Sequence, residues 1–181
     1  GGIALRLVNC AKVLSGRMPG ALAQTNVVAN MLFGAISGSG AAAAAAIGGT
    51  MGPLEKKEGY DPNYAAAVNV ASAPVGMLIP PSNTMIVFST VAGSVSISAL
   101  FMAGYIPGIL WGVAVMVLAG ITAKKMGYTS EERVTVKVAL KTLWQAVPSL
   151  FLIVIVIGGI LGGVFTATEG SAIAVVYATI L

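Results

Sequence analysis

Histidine is missing from the 181 residues, cysteine occurs once, and charged side chains make up only 9% of the chain. Without histidine, most metal sites and every Ser–His or Cys–His nucleophile pair are unavailable. Cys10 stands alone, which excludes an intrachain disulfide. Soluble domains carry about 25% charged residues, so the shortage of charge excludes an ordinary soluble domain. What fills the space is apolar: 57% of residues are hydrophobic and the mean hydropathy is +0.92. Long runs nearly free of charge, such as 62–123, indicate a bilayer protein. The net charge of +4 then reads as membrane orientation, not as a nucleic-acid surface. The chain begins without Met, shows no signal-peptide pattern and stops inside an apolar run, so we expect one piece of a larger protein.

The apolar runs divide the chain. Residues 1–19 place Ala4, Leu7, Val8, Ala11 and Leu14 on one helical face, as in a helix lying at the membrane surface. Residues 20–58 contain two apolar arms separated by Ser-Gly-Ser-Gly at 37–40. Each arm spans roughly 20–26 Å as helix, short of the ~30 Å hydrocarbon core, so a re-entrant hairpin is expected. Residues 62–97 form an apolar segment interrupted by Pro80 and Pro81, that is, a broken transmembrane helix. A transmembrane helix follows at 98–126, with small residues Gly104, Gly108 and Gly112 stacked for helix contact. Residues 131–146 put Val136, Ala139, Leu140, Leu143 and Trp144 on one face and Arg133, Lys137 and Lys141 on another, predicting an interfacial arm helix. Residues 148–181 give a further span, with glycine pairs at 158/162 and 159/163, and the start of the next segment.

Charge placement tests this layout. With 20–58 as a hairpin, one crossing at 62–91 and a return at 99–123, all ten basic residues fall on one face. The positive-inside rule makes that face cytoplasmic. A single crossing at 20–53 would split the basic groups between faces. The hairpin wins.

The interruptions carry the chemistry. Pro80 and Pro81 remove two amide donors, so the carbonyls of Gly76 and Met77 lose their helical partners, and Pro74 does the same to Val70. Non-helical backbone at membrane depth survives only inside protein or beside a polar cavity. Ser82, Asn83 and Thr84 add polar side chains there, with Ser82 placed to cap the following half-helix. Ser37, Gly38 and Ser39 repeat the recipe at the hairpin tip. Helix N-termini favour an anion, while freed carbonyls and hydroxyls favour a hard cation. Discontinuous helices around a midplane ion and substrate site are a device of secondary transporters. A plain proline kink and a plain surface loop are the competing readings of the two breaks.

Asn69, Thr168 and Glu169 are secondary candidates. For Asn69, a structural hydrogen bond and an ion ligand are equally open. Glu169 is favoured as a helix-starting residue with Thr166 or Thr168 as cap, with a coupling carboxylate as the alternative. Gly38 to Ala43 fits G-x-G-x-x-A, but the alternation of strands and helices that a dinucleotide fold needs is missing.

The order of hairpin tip, "EGYDPNYAAA", "IPPSN" and "TATEG" closely resembles the large membrane subunit of TRAP (tripartite ATP-independent periplasmic) transporters, over essentially the whole chain. "TATEG" departs from the commoner Thr-Pro-Thr-Glu-Ala form. The resemblance implies an all-α integral membrane protein of the ion-transporter superfamily. This chain would be its first half-repeat, with re-entrant hairpin, Pro-broken helix and amphipathic surface helices. It implies sodium-coupled import of an organic acid, such as a C4-dicarboxylate or sialic acid, by an elevator mechanism in the bacterial inner membrane. The implied partners are a small membrane subunit, a periplasmic substrate-binding protein and the lipid bilayer. No nucleic acid and no cofactor are expected beyond Na+ as coupling ion. Carried over, Ser37, Gly38, Ser39, Gly76, Pro80, Pro81, Ser82, Asn83 and Thr84 would form a sodium site and one wall of the substrate cavity. Two alternatives remain at this stage: a binding-protein-independent sodium/dicarboxylate symporter, and a passive channel or structural subunit. No enzyme is expected.

Overall fold

A computed structural model describes residues 3–16, 18–93, 95–128 and 136–180. Among them every regular element is helical: α1 Ile3–Ser15, α2 Ala21–Ser37, α3 Gly40–Lys57, α4 Pro62–Ser72, α5 Val75–Leu78, α6 Asn83–Ala92, α7 Ile97–Lys125, α8 Val136–Leu161 and α9 Ala167–Ile180. Two of these helices, α7 and residues 138–161 of α8, are long and apolar enough to cross a membrane. The path from Pro62 through Leu78 to α6 would be a third, bent by 45° at its break.

Local sequence explains the boundaries. Gly38 ends α2 with φ +62°, a left-handed conformation that costs glycine little, and its N–H donates to Gly34 O at 2.8 Å. Ser39 is extended and opens α3, its Oγ accepting from Ala42 N at 3.3 Å. Asp61 caps α4 by accepting from Tyr64 N at 2.9 Å, with Pro62 in the first turn. Ser96 opens α7 in the same way.

Three features refine the sequence expectations. The apolar face of α1 is turned into protein: Leu7, Val8 and Ala11 are buried, and the helix packs on α2 and α8. Leu14, assigned to that face, is instead exposed. Second, α8 runs unbroken through Pro148, merging the described part of the arm helix with the following span. Proline removes one bond of the ladder, and a long apolar helix bends around such a gap. Residues 131–135 and the side chains of Val136 and Lys137 lie outside the described structure. Third, the two glycine ladders differ. Gly104, Gly108 and Gly112 receive the broken helix and α2: a Cβ at these positions would stand 2.3 Å from Leu78 O, 2.7 Å from Ile79 Cγ1 and 2.7 Å from Met31 Sδ. In the later ladder Gly159 lies against Phe165, whereas Gly158 and Gly163 face open space.

Candidate functional site

The two breaks meet. Asn83 N donates to Gly38 O at 3.3 Å, and Asn83 Nδ2 donates to Ser37 O at 3.2 Å. Residues more than forty positions apart thus join the turn between α2 and α3 to the start of α6. Glycine makes the approach feasible. A Cβ on Gly38 would lie 2.8 Å from Pro81 O and 3.0 Å from Asn83 N, and one on Gly34 would lie 2.3 Å from Gly76 Cα. Gly40 packs in the same way on Ala73 O. Gly76 therefore serves at this site as a backbone-to-backbone contact one turn beneath the tip.

The proline break is partly healed by its own side chains. Ser82 is fully buried; its hydroxyl donates to Met77 O, the carbonyl that Pro81 leaves without a helical donor. The same Oγ accepts from Met85 N at 3.4 Å, capping α6. Earlier in the kinked segment, Trp111 Nε1 of α7 donates to Ala71 O at 2.8 Å. At the tip, Ser37 Oγ donates to Ser39 O and accepts from Ser39 N, both at 3.3 Å. Pro80 is buried, Pro81 half-buried, and Asn83 and Thr84 exposed. A cleft of about 190 Å³ opens beside Ser37, Pro81 and Asn83, closed on its far side by Val156 of α8 and by Ala167 and Ser171 of α9.

The secondary candidates lie elsewhere. Glu169 Oε2 accepts from Thr166 N at 2.7 Å and from Thr166 Oγ1 at 3.0 Å, while Glu169 N donates to Thr166 Oγ1 at 3.3 Å. This reciprocal pair is a capping box. Thr168 is exposed on the same first turn. Asn69 sits beneath the tip in a buried polar cluster that sequence reasoning missed. There Asn30 Nδ2 stands 2.9 Å from Asn26 Oδ1, 3.0 Å from Asn69 Oδ1 and 2.9 Å from Ser72 Oγ. Asn26 Nδ2 donates to Glu55 Oε1 at 3.1 Å, and Asn69 Nδ2 to Ala44 O at 3.0 Å. Asn26 and Asn30, four residues apart in an apolar helix, were the available signal.

At the base, Tyr60 stacks on Tyr128 with ring centroids 4.2 Å apart. Tyr128 Oη accepts from Asp61 N at 2.8 Å, and Tyr64 Oη donates to Ala119 O at 2.7 Å. Burial pushes the Tyr60 hydroxyl pKa upward. These contacts fasten the α3–α4 turn to the end of α7.

With this geometry in view, comparison with known proteins is decisive. The family described as "Tripartite ATP-independent periplasmic transporter, DctM component" matches residues 1–181. The chain belongs to the DctM family. Among its relatives, the uncharacterized protein YgiK of Salmonella typhimurium is 56% identical across all of this chain and 42% of its own length. The C4-dicarboxylate TRAP transporter large permease DctM of Vibrio cholerae is 41% identical over 98% of this chain and 39% of its own length. The sialic acid TRAP transporter large permease SiaM of the same organism is 40% identical over 99% and 42% respectively. This DctM-family chain spans about two-fifths of the length of these relatives. The relatives named for a function are permeases, not enzymes, in line with the missing nucleophile–base chemistry.

Proposed function

We propose that this chain is the first half-repeat of a sodium-coupled importer of organic acids, working with a small membrane subunit and a periplasmic substrate-binding protein in the bacterial inner membrane. The single observation that carries the reading is the contact of Asn83 with Ser37 and Gly38. In this reading α2 and α3 form a re-entrant hairpin whose tip closes on the break between α5 and α6. The carbonyls of Ser37 and Gly38, the Ser37 hydroxyl and the Ser39 carbonyl supply neutral oxygens of the kind that hold a hard cation. The N-termini of α3 and α6 open at the same level and favour a carboxylate beside that cation. Anion and cation then stabilise one another. This gives coupling a physical basis, because each ligand improves the other's affinity by the same factor.

Movement follows from what is fastened to what. The glycine face of α7 and the tyrosine cluster hold α4, α5 and α7 together, which suits an elevator carrying hairpin and broken helix as one body. A C4-dicarboxylate or a sialic acid is the favoured cargo, since relatives bear those names. The test is uptake of such acids into proteoliposomes containing the full-length protein, its small subunit and its binding protein, with and without a sodium gradient. We expect uptake only with sodium, and a Ser37→Ala/Ser82→Ala pair should lose most of it. Full sodium-driven uptake by that pair would remove the site assignment. Flux indifferent to sodium would favour a passive channel, and uptake without the binding protein would favour a simpler symporter.

A further inference from the structure

We propose that the corner where α3 and α7 end binds the headgroup of an anionic phospholipid, whose acyl chains lie along the outer face of α7. The inference needs α7 to cross the bilayer but does not require the transport reading above.

Two helix ends repeat one pattern. Lys56 to Tyr60 reads Lys-Lys-Glu-Gly-Tyr, and Lys124 to Tyr128 reads Lys-Lys-Met-Gly-Tyr. Their backbones match as well. Gly59 and Gly127 take φ of +77° and +76°, and their N–H groups donate to Lys56 O and Lys124 O, each at 3.2 Å. Tyr60 N donates to Glu55 O and Tyr128 N to Ala123 O, each at 2.9 Å. Both helices therefore end in the same glycine-led reversal. It folds each tyrosine back, and the two rings stack with centroids 4.2 Å apart and planes 16° from parallel. Because each ring follows its lysine pair so closely in sequence, the stack gathers both pairs at one corner.

That corner lacks counter-charge. All four lysines are exposed, and none has an ion-pair partner among the described residues. Of the acids in the α3–α4 turn, Glu55 is buried against Asn26 and Asp61 caps α4, which leaves Glu58 as the exposed carboxylate. The α7 helix carries no acid at all. Gathered ammonium groups repel one another, and an anion between them would relieve this.

The outer face of α7 makes a lipid the source of that anion. Ile106, Leu110, Val113, Val117 and Ile121 recur at helical spacing, and they are 49–71% exposed. They lie on the side of α7 away from Gly104, Gly108 and Gly112, and the next position on the stripe is Lys124. From Val113 to Lys124 the helix rises about 16 Å, close to half of the ~30 Å hydrocarbon core. One leaflet's acyl chains thus fit beneath the lysines, with the tyrosines at headgroup level. Lysines at this level attract anionic headgroups, whereas a free phosphate would make no use of the stripe.

The experiment is native mass spectrometry of the purified full-length protein with its small subunit, stripped of lipid and titrated with four probes. These are dioleoyl-phosphatidylglycerol, dioleoyl-phosphatidylcholine, soluble dihexanoyl-phosphatidylglycerol and inorganic phosphate. We expect dioleoyl-phosphatidylglycerol to bind at least tenfold more tightly than each of the others. Lys124→Gln/Lys125→Gln should weaken it at least tenfold, whereas Lys124→Arg/Lys125→Arg and Lys141→Gln, on α8, should keep it. Equal binding of the two dioleoyl lipids, or wild-type affinity in the glutamine pair, would overturn the site. Phosphate or the dihexanoyl lipid binding as tightly as the dioleoyl lipid would mark a free-anion site and overturn the acyl lane. Failure to bind lipid at all, expected if another helix covers the stripe, would overturn the proposal too. The lysines are exposed, so the glutamine pair should melt like wild-type in lipid-free detergent. If it does not fold, Lys124→Gln alone decides, with at least threefold weakening expected and wild-type affinity contradicting the site.

Discussion

The tip and the cluster beneath it are both polar islands in an apolar protein, yet they are built in opposite ways. At the tip the backbone is irregular, the two hydrogen bonds that join it to the break are 3.2 and 3.3 Å long, and Asn83 is exposed. Beneath it the helices are regular, the amides meet at 2.9–3.0 Å, and Asn26 and Asn30 are wholly buried. The tip uses main-chain groups that can be remade as parts move. The lower cluster uses side chains locked between α2, α3 and α4, where each lost partner leaves a group without water. Stability should therefore concentrate below and function above, and substitutions can test that division.

The largest effect is expected where neither region tolerates bulk. Gly34→Val would drive a side chain into Gly76 and separate α2 from α5. Overpacking costs about 1–3 kcal/mol when side chains can yield, and backbone cannot, so the melting temperature should collapse or the protein fail to fold. Next, Asn69→Ala should cost about 1–3 kcal/mol, since it removes two buried hydrogen bonds, to Asn30 and to Ala44 O. Chemical denaturation or detergent melting reads this directly. Trp111→Phe keeps the ring but drops the bond to Ala71 O, and about 1 kcal/mol is expected. Tyr128→Phe, which removes the acceptor for Asp61 N while leaving the stack on Tyr60, should cost a similar or smaller amount. Smallest in stability is Asn83→Ala, within about 1 kcal/mol because water replaces an exposed bond. It should nevertheless raise the sodium concentration for half-maximal uptake at least tenfold. An Asn83→Ala protein as damaged in melting as Asn69→Ala would erase the contrast between the regions.

The same contrast explains what could be read from residues alone. Proline and glycine announce a broken helix locally, so the tip, the break at 80–82 and the cap by Ser82 were legible, down to the carbonyl of Met77. The ladder at Gly104–Gly112 was legible as a contact face, though not its partner. Asn26, Asn30 and Glu55 were not singled out, because an asparagine inside a regular helix leaves the local pattern intact. Its meaning comes from α3 and α4 bringing Glu55, Asn69 and Ser72 opposite. Similarly, the burial of α1 depends on α2 and α8, which amphipathicity alone cannot distinguish from a lipid surface.

Cysteine cross-linking tests most directly whether tip and break touch. In a Cys10→Ala background, Ser37→Cys and Asn83→Cys should form an intramolecular disulfide on mild oxidation, identified by mass spectrometry of the joined peptides, and sodium should slow its formation. A pair that stays reduced under conditions that oxidise an adjacent control pair would contradict the account.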